Sequence, residues 1–312
     1  MRVAVVDIGT NSTRLLIADV HDDDTVTELV RHSNVTRLGQ GVDATGRLGD
    51  EAMARVEAVL TDYRREIDEH EATANLAVLT SAVRDAANGA EFTHRVRTDY
   101  GLDARTLTGD EEAGLTFLGA TSDRPPDSRE RIVVIDIGGG STEFIVGEGH
   151  EPTFHVSTQA GVVRMSERHI HSDPPRPEEL EDVQDDVHRI FDAALPQGQR
   201  TSVTGAIAVA GTATSAAAID QELDPYDPDQ VHGYELSLAT TELLLARLAQ
   251  MTDAQRRRVA GLHPDRAPTI VAGMILLAEA MRAFDLDRVE VSEHDILRGG
   301  ALRLAHRQRV RD

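Results

Sequence analysis

Two short segments combine an aspartate with a small polar turn, and their residue types suit both a phosphate and a metal ion. The segments are Asp7-Ile8-Gly9-Thr10-Asn11-Ser12 and Asp136-Ile137-Gly138-Gly139-Gly140-Ser141. Glycine lets backbone N–H groups approach a phosphate with no side chain in the way, and serine and threonine add hydroxyl donors. A carboxylate oxygen at the end of a strand is a hard ligand that suits Mg²⁺. The pattern therefore predicts phosphate binding beside a divalent cation.

The two segments are copies of one repeat. Residues 3–17 align without a gap on residues 132–146, and aspartate, isoleucine, glycine, serine and threonine recur at the same places. Each copy is an apolar run, a small polar turn and a second apolar run, which is typical of two buried strands joined as a hairpin. A third turn, Gly211-Thr212, follows the apolar run 206–210. A single such turn is most simply a tight hairpin, but the repetition favours a phosphate-binding function.

The elements that position these turns alternate between strands and helices. We predict further strands at 76–79, 206–210 and 289–291, and helices over 53–67 and 110–120, after Pro177, and around Leu243, Ile275 and Leu302. A Pro-rich polar stretch at 122–128 marks a domain boundary. We therefore expect an α/β protein with two domains, 1–124 and 125–312, each a mixed sheet flanked by helices, with the terminal helix able to pack back on the first domain. The two aspartate turns are expected to face each other across an interdomain cleft.

Composition excludes several classes of function. The chain carries 32 basic and 54 acidic residues, a formal net charge of −22, so nonspecific binding to nucleic acid or to an anionic membrane is disfavoured. It contains no lysine and no cysteine, which excludes P-loop and Schiff-base lysines, disulfides and thiolate metal sites. With no apolar run of membrane-spanning length, we expect a cytoplasmic protein with no membrane or nucleic-acid partner. The histidines show no metal-site spacing, and we expect surface or capping roles for them, including His169, His171, His232 and His263.

The chain resembles the short form of the exopolyphosphatase/guanosine pentaphosphate phosphatase family, within the actin-like ATPase superfamily. Both aspartate turns look like that family's phosphate motifs, and four further segments lie in matching order: 80–89, 108–113, 161–167 and 209–214. The resemblance covers almost the whole chain, and the segment Glu111-Glu112-Ala113 separates this family from the sugar kinases and actins of the superfamily. It implies two actin-like (ribonuclease H-like) domains. Pro268 stands where the family commonly carries an acidic residue. The polar contact that the family makes from this position is therefore not implied for this chain.

The resemblance also implies a role for each matching residue. Glu112 is implied as the general base that orients and deprotonates the attacking water. Mg²⁺ is the implied cofactor, with ligands at Asp7, Asp136 and Glu143. The implied phosphate-binding residues are Thr10, Asn11, Ser12, Arg14, Arg84, Gly138, Gly139, Gly140, Ser141, Gly211 and Thr212. Hydrolysis of a phosphoanhydride is mostly positioning and charge neutralisation by metal and guanidinium groups, which agrees with this set.

The charged residues of the set also have simpler interpretations. Glu112 lies in the first turn of a predicted helix, where the helix dipole favours an acidic side chain whatever its function. Arg84 could pair with Asp85 or with a helix carboxylate, and Arg14 could lie on the hairpin surface, away from any phosphate.

The implied function is a Mg²⁺-dependent exopolyphosphatase that hydrolyses terminal phosphoanhydride bonds of inorganic polyphosphate and releases orthophosphate. Three alternatives stay open: a guanosine pentaphosphate 5′-phosphohydrolase, an actin-like nucleotide-binding kinase, and a non-catalytic sensor of polyphosphate or an alarmone. A kinase has no need of Glu112 as a water-activating base and would need an acceptor site, and a sensor tolerates the loss of Glu112. The expected partner is inorganic polyphosphate or guanosine pentaphosphate, and a homodimer stays open.

Overall fold

The chain folds into two compact units, each built on its own β-sheet. The computed structural model describes residues 1–309. Unit 1 comprises Met1–Gly119 together with the segment that starts at Asp295, and unit 2 comprises Ala120–His294. The prediction of an α/β protein with one mixed sheet in each half is confirmed. The last three residues of the predicted second domain lie outside the described residues.

Unit 1 contains a five-stranded mixed sheet. Its strands are β1 (Arg2–Ile8), β2 (Ser12–Val20), β3 (Val26–Val35), β4 (Ala74–Leu79) and β5 (Ala104–Thr106). They lie in the order β3-β2-β1-β4-β5, with β1 antiparallel to β2 and parallel to β4. The helices of unit 1 are α1 (Val42–Thr45), α2 (Asp50–Glu69), α3 (Ser81–Asp85), α4 (Gly89–Tyr100), α5 (Gly109–Ala120) and the last helix of the chain, α14 (Ile296–Arg309).

The central strand β1 is buried on both of its faces. Because side chains alternate along a strand, one face of β1 packs with the core that includes α2 and α4, and the other packs against α14. The apolar cluster on this second side contains Val3 and Val5 of β1, Leu16, Ala18 and Val20 of β2, and Leu297, Ala301, Leu302 and Ala305 of α14. Burial on both faces explains why residues 3–6 of β1 form an unbroken apolar run in the sequence.

The limits of the two units differ from the predicted domain limits at both ends. The sequence places Arg124 in the first domain, but its guanidinium pairs with Glu130 at 2.7 Å and with Glu290 at 2.8 Å, and both carboxylates belong to unit 2. The segment from Asp295 onward falls in unit 1 because the apolar face of α14 covers β1 and β2.

Unit 2 contains a six-stranded mixed sheet. Its strands are β6 (Arg131–Ile137), β7 (Thr142–Glu148), β8 (Glu151–Thr158), β9 (Gly205–Val209), β10 (Tyr234–Ser237) and β11 (Arg288–Val291). They lie in the order β10-β11-β9-β6-β7-β8. The helices are α6 (Val162–His169), α7 (Pro177–Ala194), α8 (Gln197–Arg200), α9 (Ala210–Asp220), α10 (Pro228–Val231), α11 (Leu238–Ala249), α12 (Asp253–Arg256) and α13 (Ile270–Ala283). Residues 270–281 of α13 are all buried, as expected of a helix that is apolar on every side.

The two predicted hairpins are confirmed, and they have equivalent registers. β1 and β2 pair with Asp7 opposite Arg14, and β6 and β7 pair with Asp136 opposite Glu143. The sequence analysis missed β3 and β8, which extend the hairpins, because these strands are polar and largely exposed and contain no apolar run. Within residues 1–309, each helix is too short or too polar to cross a lipid bilayer.

Two glycines of α5 provide a matched test of how closely this helix packs against α14. A Cβ atom at Gly119 would lie 1.8 Å from the Asp295 carbonyl oxygen, whereas a Cβ atom at Gly114 would meet nothing within 4 Å. We expect Gly119→Ala to lower the free energy of unfolding by about 1–3 kcal/mol. Gly114→Ala should raise it by about 0.5–1 kcal/mol, because alanine is the better helix former. Urea unfolding measures both, and shifts of the same sign and size would contradict the packing described.

Candidate active site

Each hairpin ends in a four-residue turn that is closed by a backbone hydrogen bond. In unit 1 the Gly9 N–H donates to the Ser12 carbonyl oxygen at 2.9 Å, and in unit 2 the Gly138 N–H donates to the Ser141 carbonyl oxygen, also at 2.9 Å. A Cβ atom at either glycine would lie 3.2 Å from the same carbonyl oxygen, closer than ordinary contact. The two turns therefore share one local geometry, in agreement with the sequence repeat.

The carbonyl groups in the turn of unit 1 are bound by a neighbouring loop. The Thr10 carbonyl accepts the Gly39 N–H at 2.8 Å, and the Asn11 carbonyl accepts the N–H groups of Thr36 and Arg37 at 3.0 and 2.9 Å. Across residues 1–309, the N–H groups of Thr10 and Asn11 have no protein acceptor. The turn therefore leaves N–H donors for an anion, as predicted for a phosphate-binding turn.

In the turn of unit 2, too, neighbouring groups bind the carbonyl oxygens. The carbonyls of Gly138 and Gly139 accept backbone N–H groups from the start of α6 at 3.0 and 2.8 Å, and the Gly140 carbonyl accepts Arg164 Nε at 2.8 Å. Gly161 permits this close approach, because a Cβ atom there would lie 2.4 Å from the Gly140 carbonyl carbon. In the described part of the chain, the N–H groups of Gly139 and Gly140 have no protein acceptor. These donors too are left for an anion.

Arg14 lies between two carboxylates of unit 1. Its Nε and Nη2 donate to Asp7 Oδ2 at 2.9 and 2.6 Å, and its Nη1 donates to Asp295 Oδ2. Asp295 is itself fixed, because its Oδ1 accepts the Leu297 N–H at 3.0 Å at the start of α14. All three guanidinium nitrogens therefore contact carboxylates. The predicted phosphate contact of Arg14 stays a prediction, and the observed contacts favour a role in positioning Asp7.

Burial and charge act in opposite directions on the pKa values of this trio. Burial raises the pKa of Asp7, and Arg14 offsets only part of that rise. Burial alone would also raise the pKa of Asp295, but the charge of Arg14 outweighs it and brings the pKa below its ordinary value. Burial lowers the pKa of Arg14, and the charges of Asp295 and Asp7 more than reverse this. Arg14 therefore stays charged at neutral pH, and Asp295 stays ionised beside it.

The second oxygen of Asp7 is the feature that fits a cation. Asp7 Oδ1 is buried and has no hydrogen-bond partner among residues 1–309. Leaving a buried polar atom unpaired costs about 1–3 kcal/mol, so this atom points to a ligand. A carboxylate oxygen is a ligand that Mg²⁺ prefers. In unit 2, Glu143 is buried and its Oε1 accepts the Ser157 hydroxyl at 2.8 Å, with the half-buried Asp136 directly opposite in the hairpin.

Glu111 and Glu112 are neighbours in α5 with different surroundings. Glu111 is exposed and forms a capping box: its Oε2 accepts the Thr108 N–H at 2.9 Å, and Thr108 Oγ1 accepts the Glu111 N–H at 3.2 Å. Glu112 is only 7% exposed, and its Oε2 accepts Arg84 Nη1 at 2.7 Å. Arg84 Nη1 also donates to the Leu107 carbonyl at 3.1 Å. One acidic residue therefore caps the helix, and the other is held in the interior.

The environment of Glu112 makes it a stronger base than a solvated glutamate. Burial raises its pKa, and the ion pair with Arg84 offsets only part of that rise. The negative charge of Asp7 raises the pKa further. A carboxylate with a raised pKa accepts a proton more readily. Arg84 does pair with a helix carboxylate, as its simpler interpretation expects, and its phosphate contact stays a prediction.

Parallel strand pairing brings the candidate residues to one end of each sheet. In unit 1, β1 and β4 end side by side, and the hydroxyls of Thr10 and Ser81 are hydrogen-bonded at 2.9 Å. In unit 2, Asp136 pairs with Val209 in the parallel strands β6 and β9, and α9 with Gly211 begins directly after β9. Ligands of open α/β sheets bind at this carboxyl end of the strands.

The third predicted turn, Gly211-Thr212, is the first turn of a helix. Gly211 and Thr212 lie in α9, after Ala210 with a left-handed φ of 65°. A Cβ atom at Gly211 would lie 1.2 Å from Arg266 Nη1, so the guanidinium lies directly on this glycine. A helix N-terminus beside a guanidinium attracts anions, which suits the predicted phosphate role. The sequence analysis missed Arg266 and Asp295, and the only available signal was the helix-capping position of Asp295.

Known proteins resemble the chain over nearly its full length. The sequence model of the Ppx/GppA phosphatase family matches residues 16–307. Exopolyphosphatase 2 of Mycobacterium tuberculosis is 40% identical, over 97% of this chain and 98% of its own. Among solved structures, an exopolyphosphatase-like protein gives a TM-score of 0.92 at 34% identity and covers 98% of both chains. The Ppx/GppA family member of Aquifex aeolicus gives a TM-score of 0.82 at 29% identity, over 99% of this chain and 98% of its own.

The variant Asp295→Asn tests how much the buried Arg14 contributes to stability through its second carboxylate partner. The change leaves the buried Arg14 with one anionic partner, so we expect the free energy of unfolding at pH 7 to fall by about 2 kcal/mol or more. The control Asp19→Asn, in the more exposed pair with Arg2, should cost less than about 1 kcal/mol. Urea unfolding measures both values, and equal losses would contradict the account.

The lowered pKa of Asp295 also predicts how the destabilisation caused by Asp295→Asn depends on pH. The pKa of Asp295 is lowered in the folded protein from its usual value of 3.8, so its stabilising contribution is fully present above that pH. The stability difference between wild type and Asp295→Asn should therefore shrink as the pH falls through the lower pKa of the folded state.

Proposed function

Because the chain belongs to the Ppx/GppA phosphatase family, we propose that it hydrolyses the terminal phosphoanhydride bond of inorganic polyphosphate and releases orthophosphate. Family membership makes the chain a phosphoanhydride hydrolase. Its 40% identity to an exopolyphosphatase supports polyphosphate as the substrate. Guanosine pentaphosphate is the alternative substrate, because its 5′ end offers the same type of terminal bond.

The buried carboxylate of Glu112 is the observation that carries this proposal. Transfer of a phosphoryl group to water needs a group that orients the water and accepts its proton. Glu112 has a pKa raised by burial, is held in place by Arg84 and lies within the electrostatic influence of Asp7. In a kinase such a base would serve a bound acceptor rather than water, and a sensor needs no base, so the family membership together with the buried base favours hydrolysis. We therefore assign Glu112 as the general base.

Backbone donors of the turns bind the phosphate oxygens in this proposal. The N–H groups of Thr10, Asn11, Gly139 and Gly140 have no protein acceptor in the described chain and are fixed in advance by the hydrogen bonds of the turn carbonyls. Donors that are oriented before the reaction stabilise developing charge without reorganisation. Arg84 adds a positive charge while it remains in contact with Glu112.

Arg14 acts on Asp7 in this proposal. Its bonds to Asp7 Oδ2 fix the carboxylate so that Oδ1 is the oxygen left for a cation, and Asp295 holds the guanidinium from the other side. A side chain locked by such a supporting contact keeps a ligand oxygen in place.

The carboxylates fit Mg²⁺, which prefers oxygen ligands. We assign Asp7 Oδ1 as one ligand, and we assign the same role to Asp136 and Glu143, the carboxylate pair of the second hairpin. When bound, the ion would neutralise charge on the phosphate oxygens and so favour attack by water.

Glu112→Gln and Glu111→Gln form a matched pair that tests the assignment of the base. The first change keeps the size of the side chain and removes the base, so turnover on polyphosphate should fall about 10²–10⁴-fold while binding survives. The second alters only the capping box and should leave turnover nearly unchanged. Orthophosphate release measures turnover, and equilibrium dialysis with labelled polyphosphate measures binding. A Glu112→Gln protein with near wild-type turnover would contradict the assignment of Glu112 as the general base.

Removal of divalent cations should abolish orthophosphate release, because the carboxylates without a bound cation would repel the anionic substrate. Activity is measured in excess EDTA and again after Mg²⁺ is restored. Asp136→Asn should lower activity roughly 10²-fold or more, since metal ions supply several kcal/mol of charge stabilisation. The exposed Asp127 lies outside the turns, and Asp127→Asn should keep full activity. Activity that persists in EDTA contradicts the metal assignment.

A further inference from the structure

Unit 2 brings together two histidines and an aspartate that the proposed reaction does not use. Asp123 lies shortly after α5, His232 lies between α10 and β10, and His294 follows β11. One ligand atom from each residue lies within 4.8 Å of the others, and we refer to these three residues as the histidine cluster. Because the residues are far apart in the sequence, their spacing gave no signal. His232 is the C-cap residue of α10, within the surface or capping role expected for it, and it also belongs to the histidine cluster.

A single carboxylate oxygen faces both imidazole rings. Asp123 Oδ2 lies 2.5 Å from His294 Nδ1 and 3.3 Å from His232 Nε2. The ring centroids are 4.1 Å apart, and the ring planes are inclined by 39°. The His294 side chain is 16% exposed and that of His232 is 32% exposed, so the rings are half-buried but reachable from solvent. Three potential ligand atoms therefore converge at an accessible point.

The two rings are held by the segment that follows β11 and carries His294. The buried Ser292 hydroxyl accepts the His294 N–H at 2.9 Å, donates to the His294 carbonyl at 3.1 Å, and lies 3.4 Å from His232 Nδ1. The Gly233 N–H donates to the Val291 carbonyl at 2.8 Å, which ties the chain after His232 to β11. The Glu293 N–H donates to the same Nδ1 at 3.3 Å, so the segment after β11 fixes the His232 ring while its Nε2 faces Asp123.

We propose that the histidine cluster binds a divalent transition-metal ion of the Zn²⁺ type. Imidazole nitrogen suits Zn²⁺, Co²⁺ and Ni²⁺, whereas Mg²⁺ prefers oxygen ligands, so the cluster selects a different ion from that of the carboxylate turns. Three protein ligands leave at least one coordination position for water.

A bound ion would connect three segments that are distant in the sequence. It would join the chain just after α5 to the end of β11 and to the segment before β10, all within unit 2. Because only the folded chain brings the three ligands together, binding favours the folded state by mass action. Zn²⁺ should therefore raise the thermal unfolding midpoint of the wild-type protein.

Isothermal titration of Zn²⁺ into tag-free, EDTA-treated full-length protein tests the proposal. Excess Mg²⁺ is present throughout, so that the carboxylate turns do not contribute. We expect one Zn²⁺ per chain, with affinity lowered roughly 100-fold or more in Asp123→Asn, His232→Gln and His294→Gln, a larger effect than loss of an outer-shell partner. The control His94→Gln, at an exposed position of α4, should bind as the wild type does.

A second measurement on the wild type keeps the test independent of how the variants fold. Of the 13 histidines, only two should show imidazole NMR signals that shift with one equivalent of Zn²⁺. Co²⁺ should give a visible absorption band that Zn²⁺ displaces. The absence of stoichiometric binding, or binding that persists in all three cluster variants, would overturn the proposal.

Discussion

A four-residue turn closed by one hydrogen bond, from a glycine N–H to a serine carbonyl, sets the geometry of the candidate phosphate-binding turn in each unit. In each unit the aspartate stands two residues before that glycine, at the end of a buried strand. A neighbouring segment binds the turn carbonyls, whereas the central N–H groups of each turn have no acceptor among residues 1–309. Consecutive backbone N–H groups in a turn can form an anion-binding concavity. The oxygens of a phosphate chain are acceptors that fit such donors, which supports the proposed substrate.

The repeat has diverged at one informative position. Arg14 in unit 1 and Glu143 in unit 2 occupy equivalent places opposite the two aspartates. In unit 1 the arginine binds Asp7 and Asp295, and Asp7 Oδ1 is left without a hydrogen-bond partner among residues 1–309. In unit 2 the same position carries a second carboxylate opposite Asp136, which fits the proposed cation. One hairpin therefore fixes the orientation of its acid, and the other concentrates negative charge.

Much of this organisation could be predicted from the sequence, because the information is local. The hairpins follow from apolar runs and small turns, and the distinction between Glu111 and Glu112 follows from a motif that the structure explains as a capping box beside a buried acid. The edge strands β3 and β8 were missed because they are polar. The partners Asp295 and Arg266 and the histidine cluster were missed because only tertiary folding brings these residues to their contacts, and no spacing rule describes such contacts.

The central claim of the proposed function is that inorganic polyphosphate is the preferred substrate, and a direct comparison of substrates tests it. The wild-type enzyme is compared on inorganic polyphosphate, guanosine pentaphosphate, ATP and pyrophosphate, with orthophosphate release giving kcat/KM for each in the presence of Mg²⁺. The account predicts the highest kcat/KM with polyphosphate, because a chain of phosphates can engage the N–H donors of the turns along its length. Equal or faster release from guanosine pentaphosphate would contradict the substrate assignment, and no release from any of the four would contradict hydrolysis itself.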